Sequence, residues 1–186
     1  MIKQIVYLSG LVSSLFTWSI ILPALSQVTS DGTTNTSISP NGSNFDILDG
    51  IQKGNNLFHS FKEFSIPQGS SAIFKNSTDI VNIINRVTGG NISNIDGLIK
   101  ANGSANLFLI NPAGIVFGEN ASLNIGGSFF ATTAESILFK DGFEFSAVNP
   151  KNQPLLTVSI PVGLQMGNNP GEIKLNGSGQ AIFDNQ

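Results

Sequence analysis

Few side chains in this 186-residue chain could do chemistry, and they are scattered. The one histidine, His59, has no second histidine, no cysteine and no tight acidic cluster near it in sequence. It therefore makes a poor metal ligand or general base and reads as a structural or surface residue. The phenylalanines around it, Phe58, Phe61 and Phe64, read as core. Paired carboxylates can hydrolyse glycosidic bonds, and two pairs are close in sequence, Asp46 with Asp49 and Asp141 with Glu144. Each pair flanks a turn or a strand end and reads as solvated surface. Absence of cysteine removes disulfides, thiolate metal sites and cysteine nucleophiles together. A lyase or hydrolase on a stacked-strand scaffold would need carboxylates clustered with Lys or Arg on one strand face, and Arg86 is the only arginine. The expectation is a protein that is not an enzyme and has no metal or cofactor. Charged residues make up 11% of the chain and form no basic stripe, so nucleic acid is not an expected partner. Asn-x-Ser/Thr triplets such as Asn35-Thr36-Ser37 and Asn120-Ala121-Ser122 match a glycosylation acceptor, but in a chain this rich in Asn and Ser they arise by chance.

The elements that would carry these residues begin after an apolar leader. Met1–Gln27 holds one charge, Lys3, then an uncharged apolar body, then Pro23-Ala24-Leu25-Ser26 with small residues spaced for cleavage. This predicts a secretory signal over residues 1–26 and one domain over 27–186. The alternative is an uncleaved anchor, since residues 4–30 carry no charge.

Twenty glycines and eight prolines break the remainder into short pieces, which predicts many strands and tight turns, an all-β fold. Residues 27–44 are polar and read as a lead-in strand or a loose arm. Residues 77–90 fit either a helix or a strand, and their β-branched content favours the strand. In 136–147, Asp141-Gly142 lies between two strand-like arms, which predicts a hairpin with a type I′ turn. In 156–166, Leu156, Val158, Ile160, Val162, Leu164 and Met166 alternate with polar or small residues. That predicts a half-buried strand with this face on a core, and Pro161 places it at an edge or bulge. An echo, Ile99-Lys100-Ala101-Asn102-Gly103-Ser104 and Ile173-Lys174-Leu175-Asn176-Gly177-Ser178, with a looser version in 120–128, is what stacked parallel strands would produce.

The most apolar stretch, "LFLINPAGIVFG" at 107–118, is sharply interrupted. Leu107–Ile110 and 115–117 are apolar on both faces, as for strands covered on both sides. Between them Pro112 fixes its own φ and holds Asn111 extended, Gly114 supplies freedom at the exit, and the Asn111 amide can bond nearby backbone. The four residues 111–114 predict a rigid corner. It serves as a plain turn, as a contact for a partner, or as both.

Four segments, "NLFHSFKEFSIPQGSSAIF" (56–74), "NRVTGGNISNIDGLI" (85–99), "ANLFLINPAGIVFGENASLNIGGSFFATT" (105–133) and "FSAVNPKNQPLLTVSIPVGLQMGNNPGEI" (145–173), together resemble the N-terminal secretion domain of filamentous haemagglutinin-like exoproteins of two-partner secretion, cyanobacterial members most closely. The resemblance implies a right-handed parallel β-helix, a single-stranded solenoid with an N-terminal cap and an extra-helical antiparallel hairpin. It implies a partner, an outer-membrane transporter of the TpsB type with periplasmic POTRA domains, through whose barrel the chain passes unfolded. Outside, at the cell surface or in the medium of a Gram-negative-type bacterium, the domain folds first and templates the remainder of the exoprotein. A downstream passenger would carry any host or cell-surface ligand, and the end at "SGQAIFDNQ" would leave the solenoid open, as in a truncated or split exoprotein. The family's Asn-Pro-Asn-Gly corner matches Asn111, Pro112 and Gly114, with Ala113 replacing the second asparagine. Its Asn-Pro-Asn-Leu motif has its nearest counterpart at Asn76-Ser77-Thr78-Asp79, without the proline. Relatives carry proline where Ile92 follows Asn91. Transporter-recognition or turn residues are therefore Asn111, Pro112 and Gly114, with Asn76 and Asn91 as weaker candidates. The alternative function is a surface adhesin or carbohydrate-binding solenoid module.

Overall fold

The computed structural model describes residues 28–150, 157–177 and 180–181. All regular structure among them is β. Successive coils begin on the same three-residue pattern, a polar residue followed by two large apolar ones: Asn56-Leu57-Phe58, Asn82-Ile83-Ile84, Asn106-Leu107-Phe108 and Ser128-Phe129-Phe130. Alternation along a strand sends the second residue inward and the third outward. The strands that carry this pattern, β5 (Asn56–Phe64), β7 (Asn82–Val87), β10 (Asn106–Ile110) and β13 (Phe129–Thr132), are parallel neighbours.

Two further walls complete each coil. β8 (Ser93–Ile95), β11 (Ile115–Phe117) and β17 (Ile173–Leu175) form a parallel three-stranded sheet. β6 (Ser71–Phe74), β9 (Leu98–Ala101), β12 (Ser122–Asn124) and β18 (Gln180–Ala181) form the third wall. The result is the right-handed parallel β-helix that the resemblance implies, about three turns long. Inside it Leu57, Ile83, Leu107 and Phe129 stack in register, facing Phe74, Ala72 and Ile99 from the third wall and Ile95 and Ile115 from the second.

The polar lead-in is ordered as strands. β2 (Thr36–Asn41) and β3 (Asn44–Asp49) form an antiparallel hairpin whose β3 lies parallel on β6, capping the solenoid. β1 (Val28–Ser30) and β4 (Ile51–Lys53) both run antiparallel to β5 and close the edge of the first wall. Residues 77–90 contain β7 and no helix.

Between β13 and β17 the chain leaves the solenoid. β14 (Ser136–Phe139), β15 (Glu144–Ser146) and β16 (Pro161–Gln165) make an antiparallel sheet in the order β15-β14-β16. Its side chains Ile137, Phe139 and Phe145 cover Phe58, Ile84 and Ile110 on the outer face of the first wall, a second core separate from the lumen. β10 is thus covered on both faces, as its sequence required.

Three expectations need correction. The hairpin at Asp141-Gly142 exists, but only Gly142 has positive φ, at 83°, while Gly142 N donates to Phe139 O and Phe139 N to Phe143 O. This is a three-residue loop closed by a left-handed glycine, not a type I′ turn. Second, the apolar row in 156–166 faces no core: Val158 is 73% exposed and Val162 58%, with Ile160, Leu164 and Met166 also exposed. Period-two alternation identifies a face without guaranteeing a cover, and β14 and β15 already occupy the outer core. Pro161 does sit on an edge strand opposite a register shift; Leu156 lies outside the described residues. Third, the Ile-Lys-x-Asn-Gly-Ser echo is not the repeat, because β9 and β17 belong to different walls. The 120–128 variant does stack on the first copy, Leu123 against Ile99.

Candidate functional site

The corner between β10 and β11 is built by one side chain. Asn111 is fully buried. Its Nδ2 donates to Asn91 O and to Ser93 Oγ, both at 2.9 Å, and its Oδ1 accepts from Ala113 N at 3.0 Å. Its backbone N–H donates to Thr132 O in the next coil and its carbonyl accepts from Gly114 N. Both amide hydrogens and the amide oxygen are engaged, so in the folded chain this side chain offers nothing to a partner. Gly114 has φ 127°, and a Cβ there would lie 3.0 Å from Glu172 O. Any other residue would be strained and would press on the segment crossing above. Pro112 is half-buried, and its carbonyl accepts from Gly171 N.

The corner thus joins three coils: Asn91 and Ser93 below, 111–114 in the middle, Gly171 and Glu172 above. Asn91, a weaker candidate, is brought into it through its carbonyl; its own amide reaches outward to Glu63 Oε1 at 2.7 Å. Beside it Ile92 is 49% exposed and touches the Gly114 position. Asn76 is elsewhere, on the turn leaving β6, where it and Asn102 one coil later exchange amide–backbone hydrogen bonds, Nδ2 to Asn102 O at 3.0 Å and Asn102 N to Asn76 Oδ1 at 3.0 Å. The structure therefore unites Asn111 with Asn91 and leaves Asn76 apart.

The residues whose chemistry suggested catalysis hold the fold. His59 faces the lumen, 1% exposed, with Nδ1 3.0 Å from Thr36 Oγ1, and burial pushes its pKa down to about 3 against the opposing pull of Asp49. It is neutral at physiological pH. Asp46 pairs with Lys75 at 3.3 Å, and Asp49 accepts from the Ser37 hydroxyl. Asp141 accepts from Thr157 and from Phe143 N, which hold its carboxyl below the usual range; Glu144 accepts from Ser136. No group of three His, Cys, Asp or Glu among the described residues could hold a metal ion.

Two structural sets escape sequence reasoning. Asn56, Asn82 and Asn106 form a ladder at the mouth of the first wall, Asn82 Nδ2 donating to Asn56 Oδ1 at 2.9 Å and Asn106 Nδ2 to Asn82 Oδ1 at 3.1 Å. Its free end, Asn56 Nδ2, donates to Thr157 O and Ser159 O of the excursion. The spacings of 26 and 24 residues, with Leu-Phe after two of the three asparagines, are the available signal. The second set surrounds Arg86, and a lone internal arginine gives no sequence clue to its partners.

An apolar groove is the other feature of note. Phe117, Leu123, Phe129, Ala131, Ile173 and Leu175, from β11, β12, β13 and β17, line a groove of about 450 Å³. Phe130 on β13 is 48% exposed and stacks on Phe108 with centroids 4.7 Å apart.

The family described as TPS secretion domain matches residues 26–185. The chain is similar to the Heme/hemopexin-binding protein of Haemophilus influenzae (strain ATCC 51907 / DSM 11121 / KW20 / Rd), 40% identical over 72 residues, which is 39% of this chain and 8% of that protein. A second Heme/hemopexin-binding protein of Haemophilus influenzae is 36% identical over 75 residues, 40% of this chain and again 8% of the other. The chain thus spans under a tenth of those relatives' length. Among solved structures, the crystal structure of the HMW1 secretion domain from Haemophilus influenzae has a TM-score of 0.43 at 28% identity, covering 58% of this chain and 26% of that one.

Proposed function

Because this chain belongs to the TPS secretion domain family, and is thereby a domain of a two-partner secretion exoprotein, we propose that it is the targeting and fold-nucleating part of that exoprotein. Residues 1–26 direct it across the inner membrane and are removed. A TpsB-type outer-membrane transporter then recognises the unfolded chain in the periplasm through its POTRA domains and passes it to the cell exterior.

The observation that carries this reading is the state of Asn111. Every hydrogen-bonding group of its side chain is consumed inside the fold. A transporter that reads the corner must therefore do so before folding, when Asn111 and Pro112 are free. Once outside, the same residues lock three coils together, so one motif serves export and folding in turn. Absence of cysteine agrees with this path, since no periplasmic disulfide can cross-link a chain that must thread a narrow pore. Burial of each large apolar side chain outside, about 1.5–3 kcal/mol, supplies a folding force on the far side that disfavours return. The apolar groove lined by Phe129 and Leu175 supports the templating role, because it offers apolar side chains on which a further coil would pack.

The test is export of this chain from cells that carry or lack the cognate transporter. Accumulation outside only in the presence of the transporter is expected. Equal export without it would end the proposal.

A further inference from the structure

Arg86 lies on the outer face of β7 and is 2% exposed. Among the described residues its guanidinium meets no carboxylate directly. Instead it makes hydrogen bonds to three parts of the chain. Nε donates to Ser60 Oγ on β5 at 2.7 Å, and Nη2 to Thr33 Oγ1 in the lead-in at 2.9 Å. Nη1 donates to Ser146 O at 2.7 Å and Nη2 to Pro150 O at 3.2 Å, both in the excursion. The cation also lies 4.3 Å from the centroid of the Phe145 ring.

The counter-charge is one hydroxyl away. Ser60 Oγ donates to Asp31 Oδ2 at 2.6 Å and Thr33 Oγ1 to Asp31 Oδ1 at 2.7 Å. A hydroxyl has one hydrogen. Each hydroxyl, by accepting from Arg86, must turn that hydrogen to Asp31. The ion pair is bridged twice, each hydroxyl accepting from Arg86 and donating to Asp31. Burial pushes the Asp31 carboxyl up, yet hydrogen bonds from Ser60, Thr33 and Thr88 outweigh it and hold the pKa below the usual range. Burial lowers Arg86 to about 10, opposed by Asp31, so both groups are charged at neutral pH.

The two ends of this relay have different owners. Asp31 and Thr33 belong to the lead-in between β1 and β2, whereas the carbonyls that take the remaining Arg86 hydrogens belong to the segment that leaves β15. The geometry points to a latch: seating of the lead-in fixes Arg86 through Ser60 and Thr33, and Arg86 so fixed holds the excursion down on Phe58 and Ile84. Asp31 then controls the docking of a sheet to which it makes no hydrogen bond. The coupling is reciprocal, so undocking the excursion also loosens the lead-in. In a chain that folds from its N-terminus, the lead-in seats before the excursion, which then closes onto a socket already charged and oriented.

Hydrogen exchange on the purified protein at pH 7 tests this independently of export. The reporters are the amides of Phe139 and Ala147, bonded within the excursion, and of Leu107, bonded between coils. With Asp31→Asn, exchange at Phe139 and Ala147 should accelerate by about 5- to 150-fold, the usual range for coupled sites, with Leu107 unchanged. Thr33→Val removes one bridge and neither charge, and should give the same pattern with a smaller factor if Asp31→Asn folds poorly. In an Arg86→Met background, Asp31→Asn should add nothing at Phe139 and Ala147. Acceleration confined to the lead-in, or equal acceleration at Leu107 and Ala147, would overturn the latch.

Discussion

Within the coils, β7 and β10 each have a parallel neighbour on both sides, so backbone hydrogen bonds, the Asn56-Asn82-Asn106 ladder and the apolar rows all run along one axis. The excursion has none of that continuity. Among its described residues, contacts to the solenoid include one apolar cluster, the Arg86 socket and the Asn56 contact to Thr157 and Ser159, and β16 leaves its apolar row exposed. The difference separates two sources of order. Coils are stabilised by repetition, each by the one beneath it; the excursion is stabilised by a few specific contacts.

Cavities in the two cores give the largest contrast. Leu107→Ala and Ile137→Ala each remove a fully buried aliphatic side chain, from the lumen and the outer core respectively. Each should cost about 2–5 kcal/mol. Leu107→Ala should lower the denaturant midpoint of the whole chain, whereas Ile137→Ala should deprotect amides of β14 and β15 and spare β7 and β10. A single common transition for both variants, read by hydrogen exchange across denaturant, would merge the two regions into one.

A smaller effect is expected from Asn82→Ala, which leaves Asn56 Oδ1 and Asn106 Nδ2 without the partners they have now. A loss of about 1–3 kcal/mol is expected, measurable by urea denaturation. An effect near zero would show the ladder to be decoration on the stack.

Acid separates the lumen from the surface. The folded-state pKa of His59 is depressed to about 3, so between about 6.5 and that value the unfolded chain binds a proton that the folded chain excludes. Stability therefore falls as pH drops through that window, by at most about 1.4 kcal/mol per pH unit from this group. Asp31 adds its own loss below the ordinary carboxylate range, where its depressed pKa lets the unfolded chain bind protons first. His59→Gln should flatten the slope between pH 6 and 4.5 and leave the Asp31 component. An unchanged slope would mean that His59 is not buried.

The smallest effect is expected at the excursion's edge. Leu164 is half exposed, and Leu164→Ser should change stability by no more than about 0.5 kcal/mol while raising solubility, because an uncovered apolar edge strand promotes association. A large loss of stability would show that the row is buried.

Much of this is legible in the sequence, for identifiable reasons. Pro112 and Gly114 constrain their own backbone, so the corner can be read from local chemistry, and the both-faces apolar run 107–110 announces a strand covered twice. Sequence reasoning fails where the answer depends on which strands become neighbours. The Ile-Lys-x-Asn-Gly-Ser echo looks like the repeat although its copies sit on different walls, while the true repeat hides in a single asparagine followed by two variable apolar residues. The alternation in 156–166 suggests a buried face because pattern alone cannot say whether β14 has already filled the available core. Arg86 stands out in the sequence only as the chain's lone arginine, since its partners at 33, 60, 146 and 150 share no motif. Among the site residues, Asn111 and Asn91 come together and Asn76 does not, because the turn after β6 meets the turn after β9 and not the corner after β10.

The central claim is that the corner at 111–114 is available to the transporter only while the chain is unfolded. The direct measurement is binding of the isolated periplasmic POTRA domains to two forms of this protein, the folded domain and an unfolded peptide spanning 85–118, each with and without Asn111→Ala. The expected result is binding of the peptide, at least tenfold weaker binding of the folded domain (roughly 1.4 kcal/mol), and loss of peptide binding on substitution. Equal or tighter binding of the folded domain would contradict it.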